Sequence, residues 1–204
     1  MGYIGQTITT EFPTSISVDS ATISGNASVG GTLGVTGVST LSDNIVFDAS
    51  SKGVHLGVTS ATATNLIHDY EEGSWTPTWL GASGSPTYNA QVGRYTKVGN
   101  RVHATGYLYI TNKNTLSGNI RMGGLPFTSS NISTYYHPAS LWVNTTTNGQ
   151  NMDGDYFLEA FVDTNSSDCF IYSLDGDGGV AQINVDKLTN TTDIMINLTY
   201  QTDA

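Results

Sequence analysis

The sequence predicts an all-β protein, and three observations carry that prediction: its composition, the spacing of its apolar residues and its turn-forming residues. Thr, Ser and Asn contribute 29, 21 and 16 of the 204 residues, about a third of the chain. Only 12% of the residues are charged, about half the usual share, whereas surface helices are normally built from Lys, Glu, Arg, Gln and Ala. Thr, Tyr, Val and Ile beside 23 glycines favour strands and tight turns.

The distribution of aromatic residues divides the chain near residue 70. Three aromatic residues precede this point, whereas all three tryptophans and ten of the eleven tyrosines follow it. The first part therefore cannot build a large hydrophobic core of its own, and the second part can.

The first part contains a six-residue repeat. Large apolar residues recur without a slip at Ile23, Val29, Val35, Leu41 and Phe47. Because six is an even number, an extended chain would carry them all on one face. A ribbon with one apolar residue in six cannot offset its own ordering entropy, so that face must be buried, most economically against other copies of the chain. The sequence therefore predicts a β-ribbon stalk; a flexible linker is the alternative.

The second part has the pattern of short antiparallel strands separated by turns. Residues 101–111 alternate between an apolar face and a polar or aromatic face. Gly99 and Asn100 predict a hairpin turn that joins this strand to one at 93–98. Further strands are predicted at 140–145, 156–162, 169–174, 180–185 and 193–200. Strands at this spacing predict a jelly-roll-like antiparallel β-sandwich.

Charge and cysteine content exclude several classes of protein. The net charge of −10 argues against a protein that binds nucleic acid through contacts to its phosphates. The charge is unevenly spread along the chain, with −9 in residues 151–204. No apolar run approaches the length of a membrane span, so membrane insertion is not expected. The single cysteine, Cys169, cannot form an internal disulfide, and its apolar neighbours predict a buried residue.

The residue patterns of common catalytic and metal sites are missing from the sequence. Glu71 and Glu72 are adjacent, so on a strand they point to opposite faces and do not form the carboxyl pair of a glycosidase. The histidines lack close metal-binding spacings. Asp175 and Asp177 begin a segment like a calcium loop, but the later EF-hand positions differ; a solvated turn is expected, and a loose calcium site stays open. We predict no catalysis, no cofactor and no metal site.

Two segments between residues 68 and 102 resemble sequences of bacteriophage fibre proteins, and so do the six-residue repeat and the N-terminus. Residues 68–78, His-Asp-Tyr-Glu-Glu-Gly-Ser-Trp-Thr-Pro-Thr, are similar to a motif that precedes the C-terminal head of phage fibre and tail proteins. Residues 93–102, Gly-Arg-Tyr-Thr-Lys-Val-Gly-Asn-Arg-Val, are similar to the strand–turn–strand that follows this motif. The six-residue repeat resembles the shaft repeats of tail fibres, in which three chains wind into a β-structured stalk. The opening Met-Gly-Tyr-Ile-Gly resembles the start of short virion fibre proteins.

The resemblance covers roughly residues 1–111 and implies an intertwined homotrimer with three parts. Residues 1–19 would attach to other tail or virion proteins, residues 20–68 would form the stalk and its connector, and residues 69–204 would form the head. The sequence departs from the family in lacking a large globular anchoring domain, a self-cleaving chaperone and the long solenoid of depolymerising tailspikes. The protein would be made in the cytoplasm of the bacterial host and reside in the virion.

The function expected from this resemblance is non-enzymatic recognition of a glycan or protein on the host-cell surface. The alternatives are a purely structural virion component, such as a head fibre or tail adaptor, and, less favoured, a polysaccharide depolymerase. Exposed aromatic rings beside hydrogen-bonding side chains suit the apolar C–H face of a sugar. The candidates are Tyr107, Tyr109, Tyr135, Tyr136, His137 and Trp142 for the receptor, and Tyr3, Ile4, Ile8 and Phe12 for attachment.

Overall fold

The computed structural model describes residues 24–49, 52–144, 157–174 and 179–203. Contacts within the chain divide it into two units, residues 1–45 and residues 46–204. Several residues singled out above lie outside the described ranges, namely Tyr3, Ile4, Ile8, Phe12, Ile23, Asp175 and Asp177.

The described part of the first unit, residues 24–45, contains neither strand nor helix. The repeat residues Val29, Val35 and Leu41 are 55%, 53% and 62% exposed, and Phe47, in the second unit, is also exposed. A single chain therefore leaves the apolar face of the repeat uncovered, and it does not by itself confirm the β-ribbon stalk.

In the described part of the second unit, the regular secondary structure is almost entirely β-strand, joined by turns and loops. In chain order the strands are β1 (Val54–His55), β2 (Leu66–Ile67), β3 (Glu71–Trp75), β4 (Thr78–Leu80), β5 (Thr87–Val98), β6 (Arg101–Asn112), β7 (Arg121–Gly123), β8 (His137–Asn144), β9 (Phe157–Val162), β10 (Cys169–Leu174), β11 (Val180–Gln182) and β12 (Asp193–Gln201). Two short 3-10 helices lie within the described ranges, at Ala63–Asn65 and Val185–Lys187.

Ten of these strands form one antiparallel sheet that curls on itself. The hydrogen-bonded order is β3-β5-β6-β12-β8-β9-β10-β7-β4, with β11 paired to β10, while β1 and β2 form a separate two-stranded sheet. The end strands β3 and β4 are consecutive in the chain, so the sheet must curl until its two ends approach. Side chains of β5 help to hold β4: the Tyr88 hydroxyl accepts the Trp79 amide proton at 2.8 Å, and Gln91 donates to the Pro77 carbonyl at 2.9 Å.

The alternation predicted for the strands is confirmed. On β6, Val102, Ala104, Leu108 and Ile110 are buried, and the intervening residues face away from the core. On β12 the buried residues are Ile194, Ile196, Leu198 and Tyr200. The hairpin turn at Gly99 and Asn100 is also confirmed, because Val98 pairs with Arg101 and Gly99 has a φ of +57°, which glycine adopts without strain.

All seven predicted strands correspond to strands of the structure, but the two-layered sandwich is not confirmed. Hydrogen bonds join the strands into the one curled sheet instead. The short strands β3, β4 and β7 were not foreseen, because segments of three to five residues are too short to show a clear alternation.

The two segments that resemble phage fibre sequences pair directly with each other. Residues 71–75 form β3 and pair in register with residues 93–97 of β5. The indole of Trp75 lies against Gly93, where an added Cβ would stand 2.5 Å from the ring, and its Nε1 donates to the Thr105 carbonyl at 3.0 Å. Glycine is therefore required at this position by the close approach of the ring.

An ion pair between Asp69 and Lys97 links the same two segments. Lys97 is buried and Asp69 is exposed, with Asp69 at a φ of +57°. The hydrogen bond from Lys97 lowers the pKa of the Asp69 carboxyl below its ordinary value. A buried ammonium needs such a partner, because an unpaired charge away from water is costly.

Candidate functional site

A row of apolar and aromatic side chains crosses the outer face of four neighbouring strands. The cross-strand pairs are Val92 with Tyr107, Tyr107 with Met195, and Met195 with Trp142. Trp142 is 52% exposed, and Val92 and Met195 are about half exposed. Three intervals between strands, each about 4.8 Å, make this row about 14 Å long. We call Val92, Tyr107, Met195 and Trp142 the apolar row.

Hydrogen-bonding side chains form a parallel row beside it. Arg94 pairs with Thr105, Thr105 with Asn197, and Asn197 with Ser140. Each of these residues lies two positions along its strand from a member of the apolar row, so both rows lie on the same face. We call Arg94, Thr105, Asn197 and Ser140 the polar row.

The two rows line a groove of about 510 Å³ on the outer face of β5, β6, β12 and β8. Arg94 is the charged residue of the lining, which otherwise consists of apolar and uncharged polar residues. A concave surface with apolar lining and a few placed polar groups is the usual form of a small-molecule site.

An acidic residue adjoins the other side of the apolar row. The Tyr107 hydroxyl donates to Oδ2 of Asp193 at 3.2 Å, and Oδ1 of Asp193 is buried without a hydrogen-bond partner in the described part of the chain. Burial, followed by the charge of Asp193, raises the pKa of Tyr107. The phenol, which is protonated at neutral pH in any case, therefore keeps its proton to a higher pH than an exposed tyrosine does.

The structure brings together three of the six predicted receptor residues. Tyr107 and Trp142 belong to the apolar row, and Tyr109 pairs with Asp193 in the row next to it. The alternation of β6 was the signal that found the two tyrosines. No local pattern indicated that Met195 would pair with Trp142, because 48 residues lie between β8 and β12 and the register of the two strands is a tertiary feature.

The other three predicted residues lie at the start of β8, away from the groove lining. Tyr135 and Tyr136 are exposed, as expected for the segment before a strand. His137 departs from the expectation of exposure, because it is only 5% exposed and its ring lies 4.6 Å from the Tyr135 ring and 6.3 Å from the Tyr200 ring.

Sequence reasoning missed an aromatic cluster on the outer face of β9 and β10. Phe161 lies nearly parallel to Phe170 and to Tyr172, at centroid distances of 5.8 and 5.6 Å. Tyr136 meets Phe161 edge-on at 5.7 Å, and the guanidinium of Arg121 lies 5.9 Å from the Phe170 ring. Phe170 and Tyr172 stand two positions apart on β10, and this alternation is the signal that could have found them.

Within the described ranges, no group of three or more His, Cys, Asp or Glu residues is placed to hold a metal ion. Cys169 is buried, and burial raises the pKa of its thiol to about 12; the expectation of a buried, apolar cysteine is confirmed. The same part of the chain includes no helix of the length and apolarity that a membrane crossing requires.

Comparison with known proteins gives a likeness of fold. No family model matches the sequence, and no curated protein matches it significantly. Among solved structures, the chain is similar to the crystal structure of the Dettilon tailspike protein, with a TM-score of 0.53 and 20% sequence identity. The fold is one that a tailspike contains. The similarity covers 65% of this chain and 24% of the tailspike chain, so it spans about a quarter of the longer protein.

Proposed function

We propose that the chain is a bacteriophage virion fibre protein whose C-terminal domain binds a receptor on the host-cell surface. The favoured receptor is a glycan, which the domain binds without cleaving it. The observation that carries this proposal is the groove on the outer sheet face, where the apolar row lies beside the polar row. Sugars present both C–H faces and hydroxyl groups, and aromatic rings next to Thr, Asn and Ser match both.

The fold and the sequence support the assignment to a phage particle. The fold is similar to part of a tailspike, and the two segments that resemble phage fibre sequences are paired neighbours in the sheet. Each segment contains a residue that the other requires: Gly93 leaves space for the Trp75 ring, and Asp69 pairs with the buried Lys97.

Binding without hydrolysis is favoured by the lining of the groove. It contains no Asp or Glu, whereas glycoside hydrolysis uses two carboxyl groups that flank the scissile bond. Asp193, the acidic residue beside the groove, already accepts a hydrogen bond from Tyr107.

A homotrimer is part of the proposal, because the repeat residues are exposed in the single chain. Three ribbons that pair along Val29, Val35 and Leu41 would cover side chains that one ribbon leaves in water. Three receptor sites on one fibre would also raise the overall affinity through effective concentration. Attachment of the first 19 residues to other virion proteins belongs to the same proposal.

The experiment is adsorption to host cells by the purified chain, together with detection of the chain in particles of the phage that encodes it. We expect the chain in the virion, and we expect the purified protein to compete with infection. Trp142→Ala should weaken adsorption by about tenfold, the equivalent of about 1.4 kcal/mol, whereas Val180→Ala, at an exposed apolar residue of β11, should not. Absence of the chain from particles would refute the assignment.

A purely structural virion role is the second candidate, and the half-exposed apolar row is the observation that favours it. The same row could be covered by a neighbouring subunit instead of a ligand. Presence in the virion with no adsorption and no competition would select this candidate.

A further inference from the structure

The charges around the groove bear on the chemistry of its ligand. Arg94 is the one charged residue of the groove lining in a chain of net charge −10. Within the described residues its guanidinium takes part in no ion pair; the pairs there are Lys97 with Asp69 and Arg121 with Asp168.

The neighbours of Arg94 leave its guanidinium available. On β3 it pairs with Ser74, and Glu72 faces Thr96 at the next position, so this carboxylate lies diagonally from Arg94. Glu72 accepts a hydrogen bond from the Tyr70 hydroxyl and forms no ion pair with Arg94. On β6 the neighbour of Arg94 is the uncharged Thr105.

We propose that the groove takes an acidic oligosaccharide, with a sugar carboxylate bound to Arg94; this inference rests on the proposed receptor function. The saccharide lies across the four strands. The C–H faces of its rings contact the apolar row, and its hydroxyl groups reach Thr105, Asn197 and Ser140 in the polar row. The planar guanidinium of arginine matches a carboxylate with two parallel hydrogen bonds, which fixes the acidic sugar at the β5 end.

The positions of the three tryptophans allow ligand binding in the groove to be measured by fluorescence. Trp75 and Trp79 are buried, whereas Trp142 is half exposed at the β8 end of the groove. Quenching of fluorescence by acrylamide therefore reports mainly on Trp142, and a ligand in the groove will protect it.

The probes are oligogalacturonate, oligomannuronate and hyaluronate oligosaccharides, each with its carboxyl-reduced neutral counterpart at equal ionic strength. We expect at least one acidic probe to protect Trp142, and its neutral counterpart to need about tenfold higher concentration. Arg94→Gln should remove this difference and Arg94→Lys should keep part of it. Arg101→Gln, at an exposed arginine outside the groove lining, is the control and should keep all of it.

Three results would overturn the inference. Equal protection by an acidic probe and its neutral counterpart would show a saccharide site that does not select charge, and the proposed receptor function would stand. No protection by any probe, with adsorption to host cells intact, would show that the groove does not take an acidic saccharide, and the proposed receptor function would stand. A Trp142 that acrylamide cannot reach in the intact protein would show that a second copy covers the groove. Absence from the virion, by contrast, counts against the proposed function whatever the saccharides do.

Discussion

His137 is buried against two tyrosine rings, although the surrounding sequence has the composition of a loop. Its Nε2 is buried without a hydrogen-bond partner in the described part of the chain. Burial, with a smaller contribution from the nearby charge of Arg101, lowers the pKa of the imidazole below its ordinary value. A histidine of this kind stays neutral in the folded protein at pH values where the unfolded chain already binds a proton.

The consequence is a loss of stability on acidification. As the pH falls below about 6.5, the unfolded state takes up a proton that His137 in the folded state does not, so the free energy of unfolding decreases until the lowered pKa is passed. In His137→Phe this protonation is absent, so the free energy of unfolding should fall less on acidification. The difference from wild type should be about 1.4 kcal/mol for each unit by which the pKa of His137 is lowered. Urea unfolding between pH 7.5 and 5 measures it.

The control for this prediction is Val143→Ala, at a buried residue of the same strand. It should lower the free energy of unfolding by a similar amount at every pH, because no proton is involved. An unchanged pH dependence in His137→Phe would contradict the interpretation of His137.

At the scale of elements, the pairing of β3 with β5 depends on glycines that make room for aromatic rings. An added Cβ on Gly93 would stand 2.5 Å from the Trp75 ring, and one on Gly73 would stand 2.5 Å from the Tyr95 ring. Both pairs are in register, Trp75 with Gly93 and Gly73 with Tyr95. Each strand therefore supplies one ring and one space for the ring of its neighbour.

Gly93→Ala should lower the free energy of unfolding by about 1–3 kcal/mol, because the indole has to move out of a packed position. The same substitution in a Trp75→Leu background should cost clearly less, since the smaller side chain leaves space for the methyl group. Denaturant unfolding of the four proteins gives the coupling between the two positions. Additive costs would show that the indole does not determine the need for glycine.

At the scale of the whole molecule, the structure joins strands from most of the second unit into one curled sheet. The consecutive strands β3 and β4 lie at its two ends, so the curl that brings these ends together runs through every strand between them. The first unit contributes no strand within its described residues, 24–45, and the apolar side chains of Val29, Val35 and Leu41 are exposed there.

Val35→Asp should weaken the proposed trimer, because a carboxylate would have to be buried at the centre of the repeat. We expect the wild type to have a trimeric mass in light scattering and the variant to dissociate at concentrations where the wild type does not. Thr36→Asp, at the neighbouring residue outside the apolar repeat, is the matched control and should remain trimeric. A monomeric wild type would contradict the trimer.

The sequence by itself determined seven of the strands and which face of β6 and β12 is buried, because alternation along a strand is a local property that follows from the pleat. It also identified Tyr107, Tyr109 and Trp142 as candidates. Only the tertiary structure decided that the strands form one curled sheet, that His137 is buried, and that Val92 and Met195 lie beside Tyr107 and Trp142. The physical reason is that register and curl depend on pairing between segments far apart in the chain, and no local pattern records which strand becomes the neighbour of which.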